Sequence, residues 1–584
     1  MLIILSGRIN SRTIHLSLLF PGRCFIYKQK RLFQNHLIAL ISLFIIITLL
    51  FAVSVFIRSE WFGRIRITWL TGSTLLFVEN WLEENPFKIF FLQLQNPNSI
   101  EFPRLSDRGI YLSYPVGTIF PIYIISLINS GVVSPTLVMG FNLLNQYLIS
   151  LSLSFTIFLL LGKTNIQKNL SFLSAVFSGF SYIFLPGNLY IHQNVYYSDM
   201  AVILPFVIFI CIEMINKYCD LTPRLRKQLE LLQYFFAFYG ALCDYLFLFV
   251  GLFVFLKRLA LKEFGKDNKT IIKNIFFFSI PFIAAISTLV IQMIYANGFN
   301  TLFEKFLFRA GLNDAGAAYS EGLFNKFWIK HIGRLFGGLK STLLIFASIG
   351  TLIGYAFILI YQQWRKKSSG HLNILMLMEF TGLILLPCLA QVYFFNNHSA
   401  IHWFSAFKFS VFFSTVPFIL IPSIFCLLLL NEKSSQKIRI LIISVSLIIN
   451  AAYIFYIFPD YKSLLNLAVD FSAEEFINQN TTYEDIVFSP NYAINKNPPQ
   501  NLAISRKRVY KANSIDQIYD KVGDLEGDYM INIFIDSSWS QDEYENDQSM
   551  ALLMDEAENI ISKKPFLLYQ IPKEVFMNSV KNQN

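Results

Sequence analysis

Runs of apolar residues with few charges recur along this 584-residue chain. A helix of about 20 such residues is long enough to cross the ~30 Å hydrocarbon core of a bilayer. Within lipid every backbone polar group must be paired inside the structure, so helices are expected rather than open sheets. Only 15% of the residues are charged, against about 25% in soluble domains. The sequence therefore predicts an all-α polytopic membrane protein.

The net charge of +10 is unevenly divided along the chain. Residues 459–584 hold 20 acidic and 11 basic residues, a balance of −9, so the preceding part carries +19. Much of that positive charge stands in short loops between apolar runs, which is typical of cytoplasmic loops rather than of nucleic-acid binding. Residues 1–36, which contain several Arg and Lys, are expected to be a cytoplasmic leader. We predict a multi-pass protein of the plasma or inner cell membrane with no nucleic-acid partner.

The Lys/Arg bias of successive loops predicts about eleven spans within residues 37–458. A long first external loop, residues 58–133, follows the first span, and its Trp rings are expected at the headgroup level. Residues 231–256 have basic residues at both ends, so two half-helices that meet near Asp244 are expected in place of one span. The other spans are predicted at residues 37–57, 137–161, 170–185, 199–217, 275–295, 343–361, 374–394, 409–430 and 440–457.

The acidic tail, residues 459–584, is long enough for one small domain on the external side. The runs DIVFSP, RVYKA, MINIFI and FLLYQI are typical of strands, and AEEFINQ, SIDQIYDKV and ALLMDEAENIIS are typical of helices. Their alternation predicts a small extramembrane α/β domain. The tail carries no Gly-rich phosphate loop or catalytic motif.

Several ionisable residues fall on the predicted external face, where they are candidates for function. They are Glu60, Glu79, Asp107, Asp199, Asp244, His192, His398, His402 and Lys408. Plainer explanations exist for most of them. Glu60 and Glu79 would be solvated loop residues, Asp199 would cap a helix, and Lys408 would extend to the membrane interface.

Taken together, these residues predict a wet polar cavity with acids and cations at opposite ends. This pattern suits an enzyme that moves a group from a lipid phosphate to a hydroxyl, since an acid serves as base and cations neutralise the departing phosphate. A transporter would more often show internal repeats, and the sequence has no convincing one. The spacing of His398 and His402 suits a divalent metal ion, but no third ligand is evident, so no cofactor is assigned.

Three segments and their order resemble the GT-C superfamily of integral membrane glycosyltransferases, which includes protein O-mannosyltransferases and the aminoarabinose lipid A transferase. WLTGSTLLFVENWLEEN resembles the helix that follows the family's first span. YLSYPVGTIFPIYII is similar to its Tyr-Pro-Pro element, with Val116 in place of the second Pro. YYSDMAVILPFVIF resembles the acid-bearing start of its fourth span. The resemblance covers residues 37–458 and not the tail.

The resemblance implies transfer of a sugar from a polyprenyl-phosphate donor to an acceptor hydroxyl on the external face, with inversion at the sugar carbon. The acceptor would be a glycan, a lipid or a protein. Asp199 corresponds to the family's second-loop acid, and His402 and Lys408 lie where the family contacts the donor phosphate. We predict that a further set of residues also binds substrate: His398, Asp244, Tyr114 and Tyr197.

One departure concerns the acid that the family places just before the helix beginning here near Thr68. The segment RSEWFGRIRITW has Glu60 as its only acid. Either Glu60 is the base, or Glu79 reaches in from the helix, or the base is lost. The last case predicts a non-catalytic binder or transporter of lipid-linked sugar on the same scaffold. The sequence does not identify the sugar, the acceptor or the lipid chain.

Overall fold

A computed structural model gives the fold of the protein, and it describes eleven continuous segments together with a few single positions between 444 and 456. These segments are residues 23–59, 68–163, 168–296, 298–312, 331–333, 335–336, 371–429, 471–482, 484–490, 499–536 and 553–583. Glu60 lies outside the described residues, as does the span predicted at 343–361 and most of that at 440–457.

The described part of the region before the tail is mainly helical, with turns and an isolated β-bridge between Leu94 and Ile110 in residues 84–115. Its α-helices are α1 (Arg23–Arg58), α2 (Trp69–Glu83), α3 (Ile119–Ile128), α4 (Pro135–Leu161), α5 (Lys168–Phe184), α6 (Pro186–Asn194), α7 (Ser198–Ala201), α8 (Ile203–Tyr218), α9 (Pro223–Cys243), α10 (Leu246–Ala260), α11 (Asn268–Tyr295), α12 (Phe299–Ala310), α13 (His371–Phe394), α14 (Asn396–Ile401) and α15 (Ser410–Leu429). Short 3₁₀ helices at Val116–Thr118 and Trp403–Phe409 precede α3 and α15.

Five helical stretches of the described chain are long and apolar enough to cross a membrane. They are Leu37–Arg58, Pro135–Leu161, Ser198–Tyr218, Asn268–Tyr295 and Leu375–Phe394. Helices α5 and α6 meet at an angle of 54° and together would make a sixth. The predicted multi-pass helical class agrees with these stretches, and each of the six coincides with a predicted span.

The predicted break in residues 231–256 is present, since α9 ends at Cys243 and α10 begins at Leu246. Two glycines allow close packing at this point. A Cβ on Gly240 would lie 2.1 Å from Cδ2 of Phe247, and one on Gly117 would lie 2.6 Å from the carbonyl oxygen of Leu242. Larger residues would push the helices apart, so these glycines fix where Asp244 lies.

Helix α2 differs from the interfacial helix that was expected in the first external loop. Most of its side chains are buried, and Trp81 is 1% exposed. The indole of Trp81 donates to the carbonyl of Leu92, and the side chain of Asn80 donates to the carbonyl of Leu94. The indole ring of Trp81 was expected at the headgroup level. It has its hydrogen-bond partner inside the protein instead, so helix α2 belongs to the core.

The C-terminal region folds around a five-stranded mixed sheet, in the order β2-β1-β3-β5-β4. Strands β1 and β2 are parallel, as are β1 and β3, whereas β5 runs antiparallel to both β3 and β4. Its elements are α16 (Ser472–Asn480), β1 (Ile486–Ser489), α17 (Pro499–Ser505), β2 (Val509–Lys511), α18 (Ile515–Val522), β3 (Met530–Asp536), β4 (Asn559–Lys563), β5 (Phe566–Pro572) and α19 (Lys573–Gln583).

All four strands predicted in the tail are present, but one predicted helix is wrong in part. The residues NIISK form the edge strand β4 instead of continuing a helix. Their apolar spacing fits a helix, but hydrogen bonding to β5 overrides that local preference. Helix α17 packs on α2, and Leu502 and Ala503 join the hydrophobic core that the membrane helices form.

Candidate active site

The most buried charges near the α9–α10 break form an ion triad, which we define as Asp199, Asp244 and Lys408. Nζ of Lys408 lies 2.7 Å from Oδ1 of Asp199 and 3.2 Å from Oδ1 of Asp244. Each of the three residues is at most 1% exposed. Buried charges of this kind are costly unless they are paired, so the single ammonium stabilises both carboxylates. The sequence predicts acids and cations at opposite ends of a cavity, but the structure places Lys408 against two of the acids.

Asp199 lies in the first turn of its span, but it does not cap the helix. The residue at the N-cap position is Tyr197, and no side chain makes a capping hydrogen bond there. The carboxylate of Asp199 accepts no hydrogen bond from any described residue and contacts Lys408 instead. The capping explanation of Asp199 is therefore wrong.

Asp244 is held in place from two other directions. Its Oδ1 accepts a hydrogen bond from the backbone N–H of Leu246, at 2.7 Å, and another from Nε2 of Gln391, at 2.7 Å. The first contact orders the start of α10, and the second ties the break to α13. Asp244 therefore has a fixed geometry, whereas Asp199 is held by a single ion pair.

Two carboxylate oxygens of the triad, Asp199 Oδ2 and Asp244 Oδ2, have no hydrogen-bond partner among the described residues. The side-chain oxygen of Gln391 also has no hydrogen-bond partner among the described residues. A buried acceptor without a partner costs about 1–3 kcal/mol, so such a group commonly marks a place for water or a ligand. Of these oxygens, only those of the two carboxylates can act as a base toward a hydroxyl group.

Aromatic side chains lie beside the triad. The ring of Tyr114 lies 5.9 Å from that of Tyr197, 5.8 Å from that of Tyr245 and 6.0 Å from that of His398. The hydroxyl of Tyr114 is 2.8 Å from Nε2 of His398. The hydroxyl of Tyr197 donates to the side chain of Gln93. Aromatic faces with a few fixed polar groups are usual in small-molecule sites.

Two further cations, Arg309 and Lys305, contact the rings of Tyr114 and Tyr111. The guanidinium of Arg309 is 4.2 Å from the ring centre of Tyr114, and its Nη1 donates to the carbonyl of Ser113 at 2.7 Å. Nζ of Lys305 is 5.7 Å from the ring centre of Tyr111. Both side chains are partly exposed, unlike that of Lys408. A partly exposed guanidinium and ammonium are suited to bind an anion.

The two predicted histidines lie together, with ring centres 4.5 Å apart. His398 is in α14, and His402 follows the last residue of that helix. Burial lowers the pKa of His402 to about 4, with the charge on Asp199 acting in the opposite direction. His402 is therefore a neutral imidazole at physiological pH.

The residues present do not fit a metal ion. Within the described segments no group of three or more His, Cys, Asp or Glu is placed to hold one. The two carboxylates closest to a metal-binding arrangement, Asp199 and Asp244, share the ammonium of Lys408 instead. We derive no chemical step that uses a metal.

Glu79 is not placed where the sequence interpretation needed it. Its Oε1 lies 3.1 Å from Nη2 of Arg506, so it faces the C-terminal domain rather than the triad. Burial raises the pKa of Glu79 to about 7, although Arg506 acts in the opposite direction. His192 is fully buried against Tyr182 and Asn142 and has structural partners. The other predicted acid, Asp107, is exposed.

Sequence reasoning missed two side chains near the site, Gln391 and Arg309. Gln391 is a polar residue inside a predicted membrane span. Its position there would have been enough to select it as a candidate functional residue. Arg309 stands four residues after Lys305, and this helical spacing in a predicted external loop would have indicated a basic face.

No protein family model matches the sequence, and no curated protein matches it. Solved structures do match. The crystal structure of ArnT from Cupriavidus metallidurans bound to undecaprenyl phosphate has a TM-score of 0.50 and 11% identity, and covers 91% of this chain and 97% of that chain. The Archaeoglobus fulgidus oligosaccharyltransferase tethered to an acceptor peptide has a TM-score of 0.48 and 12% identity, and covers 84% of this chain and 69% of that chain.

The match to ArnT shows the fold. The chain shares the fold of ArnT, and the GT-C-like fold that three sequence segments predicted is confirmed. At 11% identity this likeness extends to the arrangement of the helices and not to the chemistry. The chemistry has to be argued from the ion triad and its surroundings.

Proposed function

We propose that the protein is a membrane glycosyltransferase that moves a sugar from a polyprenyl-phosphate donor to an acceptor hydroxyl on the external face. The observation that carries this proposal is the ion triad, whose carboxylates have oxygens without a hydrogen-bond partner among the described residues, together with Arg309 on the ring of the neighbouring Tyr114. A base for a hydroxyl and a cation for a phosphate are the two groups that this transfer requires. ArnT, whose fold the chain shares, was solved with undecaprenyl phosphate bound.

The proposed reaction is a direct displacement. The acceptor oxygen forms a bond to the anomeric carbon while the bond from that carbon to the phosphate oxygen breaks. The acceptor proton goes to Oδ2 of Asp199, and polyprenyl phosphate leaves with the bonding electrons. Attack opposite the departing oxygen inverts the configuration of the sugar carbon.

The other members of the site have supporting roles in this proposal. Lys408 pairs with both Asp199 and Asp244, and Gln391 fixes the orientation of Asp244. Arg309 meets the phosphate, because it is partly exposed while Lys408 is 1% exposed and already contacts two carboxylates. His398 and Tyr114 would contact the sugar, since neutral hydrogen-bonding groups next to aromatic rings suit a carbohydrate.

The test is an assay of the purified full chain with a panel of polyprenyl-phosphate sugars and a mixture of hydroxyl acceptors. We expect release of free polyprenyl phosphate and a glycosidic bond of inverted configuration, identified by mass spectrometry and NMR. A product with retained configuration would contradict the direct displacement.

A second candidate function is a non-catalytic binder or transporter of lipid-linked sugar. The observation that favours it is the ion pair between Lys408 and Asp199, because a neutralised carboxylate is a weaker base. Donor binding without any release of polyprenyl phosphate, with every acceptor tried, would support this alternative.

A further inference from the structure

An apolar groove lies at the opposite end of the helices from the ion triad. It has a volume of about 690 Å³ and opens between α1, α4, α8 and α9. The stretch from Ser198 to Tyr218 separates Asp199 from the groove mouth at Cys219 by about 30 Å, at a rise of ~1.5 Å per residue. The groove is therefore not part of the candidate active site.

The walls of the groove are almost entirely hydrocarbon and aromatic side chains. They include Leu40, Phe155, Phe158, Ile212, Leu229 and Phe236. An empty apolar space of this size among packed helices is unfavourable, because the lining side chains lose their dispersion contacts. Within a membrane, the natural filling is a hydrocarbon chain.

The mouth of the groove carries positive charge. Lys163 lines it and is 41% exposed, with its ammonium 2.6 Å from the carboxylate of Asp220. The side chain of Asp220 is 98% exposed, so this surface ion pair is weak and leaves the ammonium accessible. Arg224, Arg226 and Lys227 follow in the first turn of α9 and are all exposed. The positive end of the α9 dipole points to the same place.

We propose that this groove binds an anionic phospholipid of the adjacent membrane leaflet, with an acyl chain between α4 and α9 and the phosphate at Lys163. Charge complementarity selects the headgroup, because basic residues near the membrane surface attract anionic lipids. The apolar walls select the chain.

The test compares two lipids with identical acyl chains, phosphatidylglycerol and phosphatidylcholine. Native mass spectrometry of the purified full chain should show at least fivefold more retained phosphatidylglycerol. Lys163→Gln should lower that retention to the level of phosphatidylcholine. The matched control is Lys269→Gln, an exposed lysine in the first turn of α11, which should retain phosphatidylglycerol as the wild type does. Equal retention of the two lipids, or an equal loss in both variants, would overturn the proposal.

A second measurement needs no substitution. Cys219 is half-buried and lines the groove, so its rate of maleimide labelling reports occupancy, with peptide mass spectrometry to locate the label. Phosphatidylglycerol should slow labelling at Cys219 at least threefold relative to phosphatidylcholine. Stronger protection by undecaprenyl phosphate than by phosphatidylglycerol would overturn the proposal. Neither measurement requires enzyme turnover, so its result is independent of the proposed glycosyl transfer.

Discussion

The ammonium of Lys408 lies 2.7 Å from Asp199 and 3.2 Å from Asp244, and all three side chains are withdrawn from solvent. One buried cation is thus shared by two carboxylates. The fold brings these three residues together from α7, the α9–α10 break and the 3₁₀ helix Trp403–Phe409. The proposed chemistry depends on this contact.

Replacing Lys408 by methionine should destabilise the protein. Removal of one partner from a buried ion pair typically costs about 3–5 kcal/mol, because the remaining charge has no compensation. Here two carboxylates would also repel each other. Thermal unfolding of the purified protein in detergent measures the effect.

A double variant provides the control for that experiment. Lys408→Met combined with Asp244→Asn removes one of the opposed charges and should recover part of the lost stability. If Lys408→Met unfolds at the wild-type temperature, or if the double variant is as unstable as the sum of the single ones, the triad does not have the described energetic role.

Arg309→Gln should weaken donor binding by about 1.5–3 kcal/mol, the scale of a charge-assisted hydrogen bond. The measurement is titration with a polyprenyl-phosphate sugar. Arg104→Gln changes an exposed arginine of the first external loop and should leave donor affinity unchanged. Loss of affinity in a folded Lys408 variant, with none in Arg309→Gln, would restore the phosphate role that the sequence interpretation gave to Lys408.

The contribution of buried Glu79, the partner of Arg506, to the stability of the protein should depend on pH. Because the pKa of Glu79 in the folded protein is about 7, above its ordinary value of 4.5, its contribution to stability is fully present below pH 4.5 and is lost as the pH rises through 7. The unfolding temperature of the wild type relative to Glu79→Gln should therefore fall between pH 4.5 and about 7.5. Asp107→Asn, at an exposed position, should show no such trend. A constant difference would mean that Glu79 is not buried as described.

His402 should contribute in the opposite direction. Its pKa in the folded protein is about 4, below the ordinary 6.5, so its contribution to stability is present above pH 6.5 and is lost as the pH falls through 4. His402→Gln should lose less stability than the wild type between pH 6.5 and 4. Unfolding curves at these pH values test this, and an identical loss in both proteins would contradict it.

Much of the fold could be predicted because hydrophobic runs have a direct physical meaning in a bilayer. The break at Asp244 followed from basic residues at both ends of one apolar run, and the strands of the tail followed from short β-branched runs. The edge strand β4 could not be predicted, since its partner β5 decides its conformation. Burial of α2 could not be predicted either, because Trp81 suits an interface as well as a core.

The sequence predicted which residues belong to the candidate site better than it predicted which of them are in contact. Asp199, Asp244 and Lys408 were all selected as costly charges near apolar runs, but no sequence spacing shows that residues 164 positions apart share a contact. Glu79 was selected for its distance along the chain from the expected acid. Its partner Arg506 lies 427 residues away, and only the docking of the tail on α2 reveals that pair.

The most direct test of the account is the turnover of Asp199→Asn on the donor that the wild type accepts. Asn has nearly the same shape but cannot accept the proton, so donor binding should persist while turnover falls by roughly 10²-fold or more. Asp520→Asn, at an exposed position in α18, should turn over at the wild-type rate. Full activity of a folded Asp199→Asn variant, together with loss of activity in Glu60→Gln, would contradict the assignment of Asp199 as the base.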